Sequence, residues 1–438
     1  MTFAMLSTML LCFALTVSVA VSIGLASVLG IQVAHANMLL SVKEMFNAIN
    51  KFPLAAIPFF ILAGNIMETG GISRRLVDFA KSLVGGVQGG LPMTCVLTCM
   101  IFASVSGSSV ATTFAIGTIL IPALIKHGYP TTWAAALQAT SAELGVIIPP
   151  SIPMILYGVS AEVSIGELFI AGFGPGFFIS GALMLFVWGF CKYKGWGKRD
   201  GDGRLSVGRA TLKAGWALLM PVIILGGIYG GVFTPTEASA VAVLYALIVG
   251  MLIHREIQWG DLYAILRKSV MSSAVIMFII ANAGLFAFLI TRAGVPEAIG
   301  VWLEQVLKTP TYFLLGVNAA LFVIGMFIET GAAIIVLAPI LAPVAQHFGI
   351  DRERHFEGLA FIADVEFEQT GDIGFGNAFG SQLGAGLGGH VIEQGEDFGL
   401  VCFIDAAAER ARGFGAHAGG GIAQRAEHAG ADRRDCRP

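Results

Sequence analysis

Apolar runs long enough to enter or cross a lipid bilayer recur along most of this sequence. A helix needs about 20 residues to cross the roughly 30 Å hydrocarbon layer. The apolar runs are residues 3–33, 52–66, 91–125, 131–159, 168–190, 214–229, 238–253, 270–290 and 312–344. One soluble core cannot bury so many of these segments, and the pattern therefore predicts an all-α polytopic membrane protein.

The composition agrees with a membrane protein and excludes several other classes. Hydrophobic residues make up 56% of the chain and charged residues 13%, with a mean hydropathy of +0.79. The net charge of -3 gives no basic surface for nucleic acid. The six cysteines show no metal-binding spacing and no disulfide framework. Residues 3–33 predict a first membrane helix rather than a signal peptide, because no basic residue precedes this long run.

Two of the runs are too long for a single crossing. Residues 91–125 are interrupted by Ser-Gly-Ser-Ser, and residues 312–344 by Glu-Thr-Gly. Each run is predicted to form a helical hairpin that enters the membrane and leaves on the same side. Irregular backbone at that depth is tolerated only where protein or a water-filled cavity surrounds it.

Basic residues set the orientation of the predicted spans. The segment 192–213 carries seven Lys and Arg residues and is predicted to be cytoplasmic. If the hairpin at 91–126 does not cross the membrane, Arg74, Arg75 and Lys126 fall on the cytoplasmic side as well. The hairpin at 311–347 then opens from the outer side. Two non-crossing hairpins thus reconcile every basic cluster with one topology.

The two halves of the sequence resemble each other. Phe-Ile-Leu-Ala at 60–63 matches Phe-Ile-Ile-Ala at 278–281, and Ile-Leu-Ile-Pro at 119–122 matches Ile-Leu-Ala-Pro at 340–343. An odd number of crossings separates the matching points, so the halves have opposite orientation. We predict a first repeat at 1–205 and an incomplete second repeat at 206–351. Inverted repeats with broken helices are the architecture of secondary transporters.

The interruption of the first hairpin is the first candidate binding element. Ser106, Gly107, Ser108 and Ser109 offer hydroxyl groups and carbonyl groups at a helix break. Small hydroxylated residues often serve only to let helices approach closely. Inside a re-entrant hairpin, however, they predict a site for a hard monovalent cation, which oxygen ligands hold without a buried charge.

The second candidate element lies in the middle of the run 131–159. Pro149, Pro150 and Pro153 lack the backbone donors that a continuous helix requires. A simple kink is the alternative, but two adjacent prolines exceed what a kink needs, and the segment predicts an unwound ion or substrate site. Glu143, an acid at membrane depth, is a further candidate, or it pairs with a basic neighbour.

Three further polar features are weaker candidates. Glu329-Thr330-Gly331 occupies, in the second half, the place of the serine-rich tip. Asn65 and Asn282 are either site residues or amides that hold helices together. The segment 234–237, Thr-Pro-Thr-Glu, predicts a capping turn into the following helix.

Together these motifs resemble those of a known transporter family. Phe-Phe-Ile-Leu-Ala-Gly-Asn (59–65), Ser-Gly-Ser-Ser (106–109), Ile-Pro-Pro-Ser (148–151), Gly-Val-Phe-Thr-Pro-Thr-Glu-Ala (231–238) and Phe-Ile-Glu-Thr-Gly (327–331) stand in the same order. Over residues 1–351 the chain resembles the large membrane subunit of TRAP (tripartite ATP-independent periplasmic) transporters. The combination is specific, although each motif alone is not.

The resemblance implies an elevator-type importer of the bacterial inner membrane, driven by sodium. It further implies an organic acid as solute, of the C4-dicarboxylate or sialic-acid type, and two partners: a small membrane subunit and a periplasmic substrate-binding protein. It places sodium and solute at the hairpin tips and unwound helices. The corresponding residues are Ser106, Gly107, Ser108, Ser109, Gly145, Ile148, Pro149, Pro150, Ser151, Gly325, Glu329, Thr330 and Gly331. No cofactor beyond the coupling ions is implied.

The character of the sequence changes after Asp351. Residues 352–438 hold 22 of the 55 charged residues, no lysine and no run that could span a membrane. The family pattern places a second Pro-Pro helix and a further span here, and neither is present. We hypothesise either a frameshift near Asp351 or a genuine disordered extension.

Three alternative functions remain open from the sequence. The first is a stand-alone carboxylate transporter of the same superfamily, and the second is an inactive product of a broken gene. The third is an intramembrane enzyme, which the sequence disfavours because neither His-Glu-x-x-His nor Gly-x-Ser-x-Gly is present at the candidate serines. We therefore expect transport without covalent chemistry.

Overall fold

The computed structural model describes residues 1–197, 206–306, 310–325 and 330–347. Within these ranges every regular element is helical. The first part of the chain forms α1 (Thr2–Ala14), α2 (Val19–Val33), α3 (Leu39–Ile49), α4 (Ala56–Thr69), α5 (Ile72–Val84), α6 (Gly90–Ser106), α7 (Ser109–Lys126), α8 (Thr131–Ala142), α9 (Leu144–Ile147), α10 (Ile152–Ala161) and α11 (Ile165–Lys194). A short 3₁₀ turn, Phe52–Ala55, leads into α4.

The remaining described residues form six more helices. They are α12 (Val207–Tyr229), α13 (Pro235–Leu247), α14 (Asp261–Arg292), α15 (Val295–Val306), α16 (Pro310–Gly325) and α17 (Thr330–His347). A π-helical segment, Ile248–Ile253, continues α13. The predicted tail, residues 352–438, lies outside the described residues, so its origin stays a hypothesis.

Length and composition confirm the prediction of a polytopic membrane protein. In the described residues six helical segments are long and apolar enough to cross a membrane: Phe52–Thr69, Ser109–Lys126, Ile165–Lys194, Val207–Tyr229, Pro235–Ile253 and Asp261–Arg292. A seventh span is possible if the bent pair Thr131–Ile147 and Ile152–Ala161 counts as one. Large apolar side chains such as Leu185 and Val222 stand on the outer faces, about two-thirds exposed. Lipid is therefore the solvent for these faces.

The first predicted span is wrong in one respect. Residues 3–33 form two helices, α1 and α2, rather than one. Thr16 takes a left-handed conformation, with φ of 57°, and Val17 donates a backbone hydrogen bond to the carbonyl of Cys12 at 3.0 Å. This turn ends α1 in the way a glycine usually does. With rises of about 20 and 22 Å, neither helix alone reaches across the bilayer.

Helices α1 and α2 pack directly against each other. A side chain at Gly30 of α2 would come within 2.5 Å of the Met5 sulfur of α1. The pair α1–α2 then packs on α14, where Leu285, Phe286 and Leu289 are fully or almost fully buried. The N-terminal segment is thus a helical hairpin in its own right.

The two arms of the first predicted hairpin are present as α6 and α7, and their non-crossing path stays a prediction. The two helices pack together and are joined only by Gly107 and Ser108. Gly107 has a φ of 60°, a left-handed conformation that glycine adopts without steric cost. The helices of the second predicted hairpin, α16 and α17, are also present, whereas the residues between them, 326–329, lie outside the described residues.

Corresponding helices of the two halves have similar lengths. Helices α5, α6 and α7 have 13, 17 and 18 residues, and α15, α16 and α17 have 12, 16 and 18. Glycines with positive φ, Gly71 at 69° and Gly294 at 68°, directly precede α5 and α15. These similarities agree with an internal repeat, whose bounds at 205 and 351 stay a prediction.

Polar contacts tie α4 to the middle of the chain. The Asn65 amide donates to the Ser269 hydroxyl at 2.8 Å, and Lys268 pairs with Glu68 at 2.8 Å. The Asn282 amide donates to the Phe278 carbonyl of its own helix at 2.8 Å. Both asparagines thus make structural bonds of the kind expected for amides that support helices.

The capping turn predicted at 234–237 is confirmed. The Thr234 hydroxyl accepts a hydrogen bond from the Glu237 backbone N–H at 3.3 Å. The Glu237 carboxylate in turn accepts from the Thr234 backbone N–H at 2.8 Å. This reciprocal pair satisfies two donors at the start of α13 and gives the segment a structural role.

The non-crossing hairpin can be tested by labelling. Single cysteines replacing Arg74 and Lys126, in a background without the six native cysteines, should react with a membrane-impermeant thiol reagent from the cytoplasmic side only. The reason is that α6 and α7 together return the chain to the side it started from. Lys51→Cys, one crossing earlier, should react from the outer side. Labelling of positions 74 and 126 from opposite sides would contradict this topology.

Candidate functional site

The tip of the first hairpin is built from hydroxyl groups and backbone. Ser106 ends α6, and Ser108 precedes α7, where its hydroxyl accepts from the Ala111 backbone N–H at 3.4 Å. The Ser106 and Thr112 hydroxyls lie 3.0 Å apart. Thr112 also donates to the Ser108 carbonyl at 2.8 Å. The tip is therefore a small group of oxygen atoms linked by hydrogen bonds. Ser109 follows it as the first residue of α7.

The second candidate element is a true helix break. The segments Thr131–Ile147 and Ile152–Ala161 meet at an angle of 43°, and Ile148 is extended between them. Pro149 and Pro150 cannot donate to the carbonyls one turn earlier, those of Gly145 and Val146. The structure therefore agrees with the predicted unwound segment and not with the alternative of a simple kink in a continuous helix.

Ser151 bridges the two sides of this break. Its hydroxyl donates to the Val146 carbonyl and accepts from the Met154 backbone N–H at 3.5 Å. It thereby caps α10 while satisfying a carbonyl that the prolines released. Ser151 is fully buried. Glu143 lies half-buried at the junction of α8 and α9, one turn before the break.

The hairpin tip and the helix break are in direct contact. The Ile152 backbone N–H donates to the Gly107 carbonyl at 3.1 Å. A Cβ atom at Gly107 would lie 2.5 Å from the Pro150 carbonyl oxygen, and one at Gly145 would lie 3.0 Å from that of Ser108. At Gly107 only glycine permits this approach, and at Gly145 a methyl group would require the Ser108 backbone to shift by a few tenths of an ångström. The structure thus brings together the two elements that the sequence predicted separately.

The ends of four helical segments converge at this contact. α6 ends at Ser106 and α9 at Ile147, whereas α7 begins at Ser109 and α10 at Ile152. Carbonyl groups at helix C-termini carry partial negative charge and favour a cation, and N–H groups at N-termini favour an anion. The arrangement can therefore hold a cation and a carboxylate close together without a buried charged side chain.

The donor atoms present suit a hard ion. In the described part of the chain no three His, Cys, Asp or Glu side chains gather as a metal-binding group. The oxygen atoms at the tip are those of serine, threonine and backbone carbonyls, which are ligands for monovalent cations rather than for zinc or copper.

Two residues at this site were missed from the sequence. Thr112 joins the two sides of the tip through its hydroxyl. Gln138 of α8 is fully buried and joins three helices: its amide nitrogen lies 3.4 Å from the Thr112 carbonyl, and its amide oxygen accepts from the Cys95 thiol at 3.1 Å. Thr112 could have been found, because it lies one helical turn after Ser108. No local sequence pattern marks Gln138 as a site residue.

The second candidate set is only partly described. Gly325 ends α16, Thr330 begins α17 and is exposed, and Gly331 is buried. Glu329 lies outside the described residues. Helix α17 packs against α10, so the second hairpin borders the helix break of the first half. The site predicted at Gly325–Gly331 itself stays a prediction.

Comparison with known proteins identifies the family. Residues 6–365 match the family model described as "Tripartite ATP-independent periplasmic transporter, DctM component". The chain belongs to this family of TRAP transporter large permeases. It is therefore a multi-pass protein of the inner membrane, and the predicted resemblance is confirmed. The match extends past Asp351, where the composition changes.

Two relatives illustrate the range of the family. The permease is 41% identical over 334 residues to the C4-dicarboxylate TRAP transporter large permease protein DctM of Pseudomonas aeruginosa, covering 75% of this chain and 78% of the relative. It is 35% identical over 320 residues to the sialic acid TRAP transporter large permease protein SiaM of Vibrio cholerae, covering 73% and 75%. Members of the family are transport permeases, which accords with the expectation of no enzymatic activity.

A solved structure shows the same kind of fold. MtrF of Neisseria gonorrhoeae, described as an antimetabolite efflux pump, superposes with a TM-score of 0.55 over 85% of the permease and 81% of MtrF, at 15% identity. At this identity the likeness concerns the fold alone.

The close approach of the hairpin tip to the helix break can be tested by substituting the two glycines. Gly107→Ala should lower the thermal unfolding midpoint of the purified permease. An alanine in the left-handed conformation destabilises the folded state by about 1–2 kcal/mol, and its methyl group would also clash with the Pro150 carbonyl. Gly145→Ala should act in the same direction through the Ser108 carbonyl. Both are measured by thermal unfolding in detergent.

Gly174→Ala is the matched control. Gly174 lies within α11 and faces open space, so a methyl group there meets nothing and the helix gains roughly 0.5–1 kcal/mol. Unfolding midpoints for Gly107→Ala and Gly145→Ala equal to that of the control would show that the tip and the break are not in contact.

Proposed function

We propose that the permease imports an organic acid at the expense of a sodium gradient. It would act as the large membrane subunit of a three-component system, with a small membrane subunit and a periplasmic binding protein that delivers the solute. The names of the relatives support an acid as solute, since they transport C4-dicarboxylates and sialic acid. No cofactor beyond the coupling ions takes part in this proposal.

The observation that carries the proposal is the oxygen-lined contact between the hairpin tip and the broken helix. Sodium would bind at the tip residues Ser106, Gly107, Ser108 and Ser109, together with the break residues Gly145, Ile148, Pro149, Pro150 and Ser151. A second ion would bind at Gly325, Glu329, Thr330 and Gly331. Carbonyl groups at helix C-termini and nearby hydroxyls supply the ligands.

Coupling follows from the shared position of the two ligands. The N-termini of α7 and α10 begin beside the carbonyl groups that would hold sodium. Bound sodium would fix the tip against the break, and the two N-termini would then attract a solute carboxylate. Each ligand thus raises the affinity for the other, as linkage requires.

Movement of the site would involve several elements at once. Three kinds of contact join the hairpin to α8–α11. They are the hydrogen bond from Ile152 to Gly107, the contacts of Gln138 and the packing of α6 on α11. We infer that these elements move as one body against the remaining helices, in the manner of an elevator. Glu143, at the edge of this body, is a further candidate for solute or ion contact.

Two alternatives are distinguishable from this proposal. A stand-alone carboxylate transporter would take up solute without a binding protein, whereas the three-component system would need it. An inactive product of a broken gene would show neither sodium binding nor uptake with partners present. The family membership favours the three-component system.

Substitution of the tip serines tests the sodium site. Wild-type permease should be stabilised against thermal unfolding by sodium but not by potassium, by about 2.7 kcal/mol when sodium is at 100 times its dissociation constant. Ser108→Leu and Ser109→Leu should abolish this response, because leucine removes the hydroxyl ligand and adds bulk at a tip that is packed closely against Gly145. Sodium-dependent uptake of succinate or sialic acid, with partner proteins present, should be lost in parallel.

Ser7→Leu is the control for these variants. Ser7 lies on an exposed face of α1, where its hydroxyl donates to the Ala4 carbonyl at 3.1 Å. This variant should keep the full sodium response. An unchanged sodium response in both Ser108→Leu and Ser109→Leu would place the ion elsewhere.

A further inference from the structure

The outer face of the C-terminal half of α11 is apolar and uncovered. The inner face, with Leu183, Val187 and Cys191, is buried against the rest of the protein. On the opposite face Leu185 and Tyr193 are 66% and 84% exposed. A membrane-spanning helix that turns such a face outward presents it to lipid or to a partner within the bilayer.

This face carries a shallow, open groove. The groove has a volume of about 470 Å³ and is lined by Ala182, Leu185, Phe186, Gly189, Phe190 and Tyr193. The small residues form its floor, and the large ones form its walls. A Cβ atom placed at Gly189 would meet nothing within 4 Å, so the floor opens freely to the outside.

One wall of the groove is held rigid by an aromatic cluster. The Phe190 ring stacks on Trp133 of α8, with centroids 6.1 Å apart and planes at 10°. Trp196 meets Phe190 edge to face at 5.8 Å and Trp133 at 5.6 Å. These ring contacts hold this part of α11 against α8.

Two lysines flank the last groove residue at the C-terminal end of α11. The Lys192 ammonium lies 5.1 Å from the Trp188 ring centroid, and the Lys194 ammonium lies 5.9 Å from the rings of Phe190 and Tyr193. No acidic residue occurs in the sequence between positions 182 and 197. The groove thus combines an apolar channel with two basic side chains at one end.

We propose that this groove is a binding site for an anionic phospholipid of the cytoplasmic leaflet. One acyl chain lies over Ala182 and Gly189, and the phosphate is held by Lys192 and Lys194. The excess of basic residues that follows in the sequence places this end of α11 on the cytoplasmic side. Charge complementarity selects an anionic lipid over a zwitterionic one.

The position of the site links the lipid to the hairpin. Helix α11 packs on α6 through its buried face. The Gln88 amide, just before α6, donates to the Trp196 carbonyl at 2.9 Å. A lipid that holds the end of α11 therefore also stabilises the base of the hairpin, independently of which solute or ion the permease carries.

Native mass spectrometry of the purified permease tests the proposal. Phosphatidylglycerol and phosphatidylcholine with identical acyl chains are titrated in separate samples. Wild-type protein should retain phosphatidylglycerol preferentially. The double variant Lys192→Gln, Lys194→Gln should bind phosphatidylglycerol about thirtyfold more weakly, since each lysine contributes roughly 1 kcal/mol toward an anionic lipid. Its binding of phosphatidylcholine should not change.

A second variant tests the groove separately from the charge. Gly189→Leu fills the floor without a clash in the protein, and should weaken retention of both lipids. Gly174→Leu is the matched control, because Gly174 lies on the same helix, faces open space and stands about four turns away. Arg267→Gln, at an exposed basic residue of α14, is the control for charge.

Several results would overturn the proposal. One is equal retention of both lipids by the wild type, and another is unchanged retention in both the lysine and the Gly189→Leu variants. A third is a cross-link from Gly189→Cys to the small membrane subunit or to a second copy of the permease, which would show that protein covers the groove. Because sodium does not enter the assay, these outcomes are independent of the transport proposal.

Discussion

Backbone meets backbone at the centre of this permease, and the remaining structure is arranged around that contact. The tip of the first hairpin approaches the broken helix so closely that Gly107 leaves no room for a side chain and Gly145 leaves very little. A helix break in lipid exposes polar backbone groups at a cost of several kcal/mol each. Two breaks that face each other satisfy part of that need mutually, as the bond from Ile152 to Gly107 shows.

The helices around the contact serve to keep the breaks aligned. Gln138 connects α8 with both arms of the hairpin. Helix α4 also lies close to the tip, since a Cβ atom added at Gly64 would be 3.5 Å from the Ser106 backbone. Farther out, the aromatic cluster around Trp133 fixes α8 to α11. The polar centre is small, and nearly all of the surrounding packing is apolar.

The sequence predicted those features that interrupt an apolar run visibly. Ser-Gly-Ser-Ser and Pro-Pro stand out in hydrophobic segments, and both mark breaks in the structure. The break between α1 and α2 was missed because Thr16, rather than glycine or proline, takes the left-handed conformation there. Gln138 was missed for another reason: its importance depends on which helices surround α8, and no local pattern encodes that.

The surroundings of Gln138 have a practical consequence. Its amide contacts the thiols of Cys95 and Cys99, both fully buried between α6 and α8. A thiol in this position reacts with a soluble reagent only when the two helices separate. The rate at which these cysteines are modified in the native protein therefore reports how often α6 and α8 separate.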